Sequence, residues 1–184
     1  MTFTACELPG LIVCEPAVFG DNRGCFFEAY NQALFQKNGI VNNFVQDNQS
    51  HSSYGVIRGL HYQLNPFAQA KLVRVLEGVI LDVAVDIRKG SPTYRKHFSI
   101  ELSAENKRQL FIPAGFAHGF SVLSETASVL YKCDQFYSKQ SEGGIRFDDP
   151  ELNIDWKIDL KQAIVSPKDI ELPLFKDSIT NFQY

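Results

Sequence analysis

The sequence lacks the short motifs that mark most nucleotide and cofactor sites. It contains no G-x-x-x-x-G-K-[ST], no G-x-G-x-x-G after a strand and no G-x-S-x-G. A phosphate loop, a dinucleotide-binding fold and a nucleophile elbow are therefore without support. The pair Gly143-Gly144 by itself predicts only a turn. We expect no cofactor.

Cysteine is scarce and irregularly spaced, and long apolar runs are missing. The four cysteines, Cys6, Cys14, Cys25 and Cys133, form no C-x-x-C pair and no zinc-ribbon spacing. This favours reduced, packed thiols in a cytoplasmic protein. The N-terminus has neither the basic segment nor the apolar core of a signal peptide, and no run approaches the roughly 18 apolar residues of a membrane span. We expect no association with a membrane.

The charge balance limits the possible partners. Lys and Arg number 18 against 21 Asp and Glu, so the formal net charge is -3. That value is too close to neutral for a protein that neutralises many nucleic-acid phosphates, so an anionic ligand must be small. With 184 residues, of which 45% are hydrophobic, we expect one domain over 1–184. Its barrel core should span about 20–150 and a helical tail about 150–184.

Alternating apolar residues predict a mainly β fold. From Val79 to Ile87 every second residue is apolar, while Asp82 and Asp86 fall on the opposite face. This is the pattern of a half-buried strand. Similar short runs with frequent turn residues predict an antiparallel sandwich or jelly-roll barrel. Short helices are expected at 31–38, in the N-terminal third, and in the C-terminal tail.

The stretch from Gly55 to Asp86 carries charge where strands should be buried. Arg58, His61 and Lys71 lie in or beside these strands, and a buried charge is costly unless it is paired or used. The pair Asn65-Pro66 predicts a turn between them. A hairpin would then place His61 and Lys71 on the same wall.

The chemistry of these residues suits proton transfer. A barrel with His61, Lys71, His118 and Tyr131 directed inward would combine a base, a cation and a weak acid. Such a set can abstract a proton beside a carbonyl, stabilise the enolate and return a proton from the other face. A metal is the competing use, but Gln63 stands where cupin-like metal sites have their second His, and Lys repels a cation. We expect no metal.

Local sequence leaves a structural alternative open for several residues. Arg23, in the turn DNRG, fits a solvated cation. His118 fits a satisfied structural group and Tyr131 a core aromatic. Asp169 fits a capping box in a helix that begins after Ser166. Only the arrangement of these residues in space distinguishes such roles from roles in a site.

Five runs that cover most of the chain carry a more specific signal. They are FGDNRG (19–24), FVQDNQSHSSYGVIRGLHYQ (44–63), AQAKLVRVLEGVILDVAVDIRKGSPT (68–93), FIPAGFAHGFSVLSE (111–125) and YKCDQFYSKQSEGGI (131–145). Taken together and in order, they strongly resemble the dTDP-4-dehydrorhamnose 3,5-epimerase family. The resemblance implies a cupin-type jelly roll, a homodimer, no metal and a part in dTDP-L-rhamnose synthesis.

The resemblance also implies catalytic roles for four residues. His61 resembles the family's base, and Asp169 resembles the partner that orients its imidazole. Lys71 resembles the residue that stabilises the enolate, and Tyr131 resembles the acid on the opposite face. The implied reaction inverts C3 and C5 of dTDP-4-keto-6-deoxy-D-glucose.

Nine further residues match the family's substrate-binding positions. Tyr137 matches an aromatic residue that stacks on the thymine ring. The other eight are Arg23, Glu28, Gln46, Asn48, Arg58, His118, Glu142 and Lys168. Diphosphate held by bidentate arginine would account for the absent phosphate loop. Arg74, Asp82 and Asp86 also lie in matched runs, and we interpret them as structural polar groups.

Rival functions stay open at this point. Close relatives of the family epimerise only C3 or isomerise a 3,4-ketone with much the same residues, although Tyr131 favours an epimerase. A metal-dependent cupin oxygenase is disfavoured by Gln63 and Lys71. A sugar-binding barrel without turnover would leave a buried Lys beside a His without a purpose.

Overall fold

Fourteen strands and two short α-helices make up the regular structure, which the computed structural model describes over residues 1–184. The strands are β1 (Thr2–Ala5), β2 (Ile12–Glu15), β3 (Phe19–Asp21), β4 (Gly24–Phe26), β5 (Gln46–Ser53), β6 (Val56–Gln63), β7 (Lys71–Glu77), β8 (Val79–Asp86), β9 (His97–Ser103), β10 (Gln109–Ile112), β11 (Phe116–Val122), β12 (Thr126–Cys133), β13 (Glu142–Gly144) and β14 (Ile164–Val165). The helices are α1 (Gln32–Lys37) and α2 (Pro167–Ile170), and 3-10 turns occur at Lys139–Ser141, Leu160–Gln162 and Phe175–Asp177. None of these helices has the length and apolar character needed to cross a bilayer.

Two sheets face each other and enclose the barrel interior. The first has the strand order β1-β2-β10-β7-β12-β5, and the second has β13-β6-β11-β8-β9 with β14 beside β6. Strands β5 to β8 alternate between the sheets along the chain, which is typical of a jelly roll. The prediction of a mainly β, cupin-type jelly roll with short helices in the N-terminal third and the tail is confirmed.

The predicted hairpin between His61 and Lys71 is wrong. Strands β6 and β7 belong to different sheets, so the two residues face each other across the interior. Asn65 and Pro66 begin a connection that crosses from one sheet to the other. Turn residues predict a change of direction, but they do not specify which strands pair. Here β7 pairs with β10 and β12 instead.

The predicted half-buried character of β8 is also wrong, because both of its faces are buried. Ile80 and Ala84 pack in the barrel interior, among apolar residues of both sheets. Leu81 and Val83 pack on the outer face with Trp156 of the C-terminal tail. The tail therefore supplies a second cover that the alternation of β8 does not reveal.

The predicted helix starts are confirmed, but the tail is less helical than expected. Asn31 caps α1 by accepting a hydrogen bond from the backbone N–H of Leu34 at 3.2 Å. Ser166 caps α2 in the same way through the N–H of Asp169 at 3.1 Å. Beyond these, the tail has the two-residue strand β14 and single turns joined by irregular chain. Prolines such as Pro173 interrupt any longer helix there.

Two glycines with left-handed backbones allow a test of close packing. Gly78, between β7 and β8, has φ +77°, and a Cβ atom there would overlap the carbonyl oxygen of Thr126. Gly39 has φ +89° and open space around it. We predict that Gly39→Ala lowers the free energy of unfolding by about 1 kcal/mol. Gly78→Ala should lower it by at least about 2 kcal/mol more, because of the clash.

Urea unfolding of both variants measures this difference directly. The midpoint and slope should show the larger loss in Gly78→Ala with the slope unchanged. Equal losses in the two variants would contradict the close approach of β7, β8 and Thr126.

Candidate active site

One end of the barrel interior is polar. Directly opposed residues on β5, β12 and β7 form three successive rows across the first sheet. In this order of strands, the rows are Ser50-Val129-Val75, Asn48-Tyr131-Val73 and Gln46-Cys133-Lys71. Opposed residues of an antiparallel pair share a face of the sheet. The interior therefore has an apolar half, which packs as core, and a polar half around the start of β7.

Two adjoining cavities lie at this polar end. Their volumes are about 810 and 520 Å³, within the range of small-molecule sites. They share His61, Lys71, Tyr131 and Lys168. The larger cavity extends along β13 to the tail, and the smaller reaches His118 on β11.

His61 on β6 is hydrogen-bonded to Asp169 on α2. The distance from Nε2 to Oδ1 is 2.7 Å, and Oδ2 accepts the backbone N–H of Gly59 at 3.2 Å. Burial would raise the pKa of Asp169, but the hydrogen bonds and charge of its partners outweigh burial and lower that pKa. The ionised carboxylate accepts a hydrogen bond from Nε2–H, which leaves Nδ1 of His61 free to act as a base.

The structural alternative for Asp169, a capping box with Ser166, holds for the backbone N–H of Asp169 but not for its carboxylate. The N–H of Asp169 donates to Ser166 Oγ at 3.1 Å. Its carboxylate is buried against β6, bonds to His61 and Gly59, and accepts no hydrogen bond from the backbone N–H of Ser166, so the reciprocal bond of a capping box is missing. The one-turn helix thus holds a carboxylate in place behind the imidazole.

Lys71 lies across the cavity from His61, at the start of β7. Its ammonium is 5.8 Å from the centroid of the Tyr131 ring. Burial lowers the pKa of Lys71, and interactions with Cys133 and Asp82 oppose that shift. No hydrogen bond contributes to the pKa of Lys71, so its Nζ is free to bind a ligand oxygen.

Tyr131 and His61 occupy opposite walls. Tyr131 is on β12 of the first sheet and His61 on β6 of the second, and both line both cavities. A ring held between the sheets would have imidazole on one face and phenol on the other. Burial raises the pKa of Tyr131, which keeps the phenol protonated at neutral pH. The core alternative is partly correct too, since Tyr131 packs against the interior cluster.

His118 is both a satisfied group and a cavity residue. It lies directly across from His61 on the neighbouring strand and lines the smaller cavity. Its Nε2 is 2.7 Å from Oδ1 of Asp82. Burial lowers the pKa of His118 despite the opposing effect of Asp82. The imidazole is therefore neutral near pH 7 and acts by hydrogen bonding rather than by charge.

Seven of the nine predicted substrate-binding residues line the cavities. They are Gln46, Asn48, Tyr137 and Glu142 in the larger cavity, Arg58 and His118 in the smaller, and Lys168 in both. Lys168 Nζ pairs with Glu142 at 2.9 Å near the rim. Gln46 accepts the backbone N–H of Tyr137 at 2.9 Å, which ties the exposed aromatic ring to β5. The set offers amides, cations, a carboxylate and an aromatic face.

The structure does not bring Arg23 and Glu28 to the cavities of their own chain. Arg23 lies in the exposed hairpin of β3 and β4, where its Nε donates to Asp21 at 3.1 Å. Glu28 is exposed and accepts a hydrogen bond from Asn31 at 3.2 Å. The hairpin pairs only with itself. Within one chain, Arg23 is therefore the solvated turn cation of the structural alternative.

Sequence reasoning missed the loop and tail residues that complete the larger cavity. They are Gln69, Lys139, Leu172, Pro173, Asp177 and Ile179. None of them lies in a strand, so no alternating pattern marks them. Their position depends on how the tail returns to the barrel, which a single sequence does not specify.

The donor set suits proton transfer better than metal binding. No group of three His, Cys, Asp or Glu is arranged to hold a metal ion. Gln63, at the position of the second His in metal-binding cupin-like barrels, donates to the carbonyl of Phe67 at 2.7 Å. A base, an ammonium and a phenol converge on the shared part of the cavities instead.

Comparison with known proteins adds to this geometry. The family model for dTDP-4-dehydrorhamnose 3,5-epimerase matches residues 5–177. The enzyme of that name from Shigella flexneri is 53% identical over 173 residues, covering 94% of each chain. The crystal structure of the Elizabethkingia anophelis NUHP1 enzyme has a TM-score of 0.93 and 54% identity, covering 96% of this chain and 97% of that one. The crystal structure of a Legionella pneumophila Philadelphia 1 epimerase in complex with dTDP-4-keto-L-rhamnose has a TM-score of 0.92 and 46% identity, covering 96% of this chain and 93% of that one.

The jelly roll and its acid–base cavity, together with these relatives, define an enzyme of the isomerase class, an epimerase. The chain belongs to the dTDP-4-dehydrorhamnose 3,5-epimerase family. The match extends over nearly the whole sequence, from the first strand to the last 3-10 turn. The resemblance seen in the five sequence runs is therefore confirmed.

Asp169→Asn tests the orientation of the imidazole. The amide removes the negative charge behind Nε2, so we expect kcat to fall on the order of 100-fold or more while the fold persists. Asp155→Asn, which removes an exposed carboxylate elsewhere in the tail, is the matched control and should leave kcat unchanged. Steady-state kinetics and thermal unfolding measure both effects. Wild-type kcat in Asp169→Asn would contradict the orienting role.

Proposed function

We propose that the chain inverts C3 and C5 of dTDP-4-keto-6-deoxy-D-glucose, a step in the synthesis of dTDP-L-rhamnose. The placement of His61 and Tyr131 on opposite walls, with Lys71 beside them, carries this proposal. The dTDP-linked keto sugar bound to the Legionella relative supports the class of substrate. Inversion needs a base and an acid on opposite faces of the sugar ring, and this arrangement provides both.

The C4 ketone makes the protons on C3 and C5 acidic. Nδ1 of His61 removes each proton in turn, and the electrons move to the C4 oxygen, where the Lys71 ammonium stabilises the enolate. Tyr131 then gives its phenolic proton to the opposite face of the carbon. Each inversion leaves His61 protonated and Tyr131 ionised. Exchange with water in the open cavity restores both groups before the next step.

The larger cavity takes the nucleotide in this proposal. Tyr137, whose ring is exposed at the rim, stacks on thymine, while Glu142 and the amides Gln46 and Asn48 bind polar groups of the nucleoside and sugar. Lys168 and Arg58 supply positive charge for the diphosphate and the sugar oxygens. His118, neutral and buried, hydrogen-bonds a sugar hydroxyl in the smaller cavity.

We further propose a homodimer in which the β3-β4 hairpin serves the partner's site. Phe19 and Phe26 on this hairpin are 66% and 72% exposed, a large apolar surface that favours burial against another chain. Arg23 lies at its tip and Glu28 just beyond it. Packed against a second copy, the hairpin would place both residues at that copy's cavity.

The cysteines support a reducing compartment, and we propose the cytoplasm. All four are free thiols, and Cys14 and Cys133 are buried. Burial raises the pKa of the Cys14 thiol to about 12, so this group is not reactive at neutral pH. Thiols of this kind are typical of proteins that fold without disulfides.

Proton NMR in deuterated water tests the reaction. Purified protein with dTDP-4-keto-6-deoxy-D-glucose, without added metal, should exchange the protons at both C3 and C5, and His61→Ala should abolish both exchanges. Tyr131→Phe should still exchange protons, because His61 is intact, but inverted product should form far more slowly, on the order of 100-fold. Tyr54→Phe, at an exposed tyrosine that lines neither cavity, is the matched control and should form product at the wild-type rate.

Each alternative function has its own outcome in this experiment. Exchange at C3 alone would identify a 3-epimerase or a 3,4-ketoisomerase. No exchange at either carbon would favour a binding barrel, or an oxygenase if activity then required metal. Inverted product at the wild-type rate in Tyr131→Phe would contradict the assignment of the acid.

Mixing two inactive variants tests the shared site. In a mixed dimer of Arg23→Ala and His61→Ala, one cavity would combine an intact His61 with the partner's intact Arg23. Random mixing should therefore restore about one quarter of the wild-type activity. If Arg23 acts within its own chain, or has no role in the site, the mixture will show no more than the sum of the activities of the two variants measured separately.

A further inference from the structure

Asp82 is a buried carboxylate with an oxygen that has no partner. It lies in the middle of β8 and is 0% exposed. Its Oδ1 accepts a hydrogen bond from Nε2 of His118 at 2.7 Å, whereas Oδ2 is buried without any hydrogen bond. Buried carboxylate oxygens are normally satisfied, because removing them from water is costly. Packing alone does not account for this group.

The other buried carboxylate of β8 shows that the fold can satisfy such a group. Asp86 is also 0% exposed. Its two oxygens bond to Arg88 at 2.7 and 2.9 Å, to Ser91 at 2.6 Å and to Thr93 at 2.7 Å. Asp86 is a structural polar group, as expected from the sequence. Asp86 lies on the same face at the end of β8, whereas Asp82 lies in the middle of the strand and bonds to His118 of the smaller cavity.

Asp82 and Lys71 project into the same interior from opposite sheets. Asp82 shares a face of β8 with Ile80 and Ala84, and Lys71 shares a face of β7 with Val73. Ile80, Ala84 and Val73 all belong to the apolar cluster of the barrel interior. Of the other ionisable groups, Cys133 acts on Lys71, and the side chains that line the smaller cavity with it are Arg58, His61, His118, Tyr131, Lys168 and Asp169.

Asp82 is the only carboxylate among the groups whose charge acts on Lys71. Burial lowers the pKa of Lys71, and Cys133 and Asp82 oppose this. Burial raises the pKa of the Cys133 thiol, so it is uncharged near pH 7. Burial likewise raises the pKa of Tyr131, and the carboxylate of Asp169 is bonded to His61. The charge opposite Lys71 therefore comes from Asp82.

We propose that Asp82 is a positioning residue that keeps Lys71 in its ammonium form at the cavity wall, while its other oxygen fixes the imidazole of His118. The consequence for catalysis rests on the proposed function, because the ammonium must be present when the enolate forms. Asp82 itself touches no reacting atom. Its unsatisfied oxygen is the cost of placing a negative charge where it balances Lys71.

The direct test follows the titration of Lys71 by NMR. Protein labelled with ¹³C at lysine Cε reports each ammonium, and the Lys71 signal is assigned by its loss in Lys71→Arg. Asp82→Asn should lower the Lys71 midpoint by about one pH unit or more. Asp86→Asn, the matched control on the same strand, should lower the melting temperature but leave the Lys71 midpoint unchanged. This readout does not require any turnover.

Kinetics then separate a role through Lys71 from a general structural role. Asp82→Asn should lower kcat on the order of 100-fold with little change in KM. In a Lys71→Met background the same substitution should have almost no further effect on kcat. An equal additional loss in that background would overturn the proposal. If wild type shows no epimerisation, the proposed function fails, while the titration still decides the role of Asp82.

A second variant covers the case in which Asp82→Asn does not fold. Balanced charges predict that the double variant Lys71→Met/Asp82→Asn folds where Asp82→Asn does not, because it leaves neither charge buried without the other. Thermal unfolding reports this rescue. A double variant that stays unfolded, or an unchanged Lys71 midpoint in a folded Asp82→Asn, would contradict the proposal.

Discussion

The hydrogen bond between His61 and Asp169 joins the barrel to its C-terminal tail, and the site depends on it. The two residues are 108 positions apart, so the tail must return to β6 before the imidazole is oriented. The same return buries Trp156 against the outer face of β8 and brings Leu172 and Ile179 to the larger cavity. One short contact thus connects the completion of the fold with the completion of the site.

The interior polar groups impose a second constraint. A jelly-roll barrel of this size would be most stable with an apolar interior, but Lys71, His118 and Asp82 occupy one end of it. Their mutual charges and hydrogen bonds reduce the cost of burial without removing it. The apolar half of the barrel, around Val73 and Val129, provides the stability that allows the polar half to exist.

Much of this could be predicted from residues alone. Alternation predicts a strand independently of its partners, so β8 and the jelly-roll class were accessible, and the charge on otherwise buried strands pointed to His61 and Lys71. Pairing partners were not accessible, because turn residues such as Asn65-Pro66 do not say which sheet follows. The role of Asp82 was also hidden, since a pattern shows that a carboxylate is buried but not whether its oxygens are satisfied.

A crystal structure with dTDP-L-rhamnose, which carries a hydroxyl in place of the C4 ketone, would show whether the sugar lies between His61 and Tyr131. We predict the C4 oxygen at about 3 Å from Lys71 Nζ, with His61 Nδ1 and Tyr131 Oη on opposite faces of the sugar ring. His61 and Tyr131 on the same face, or a C4 oxygen out of reach of Lys71, would contradict it.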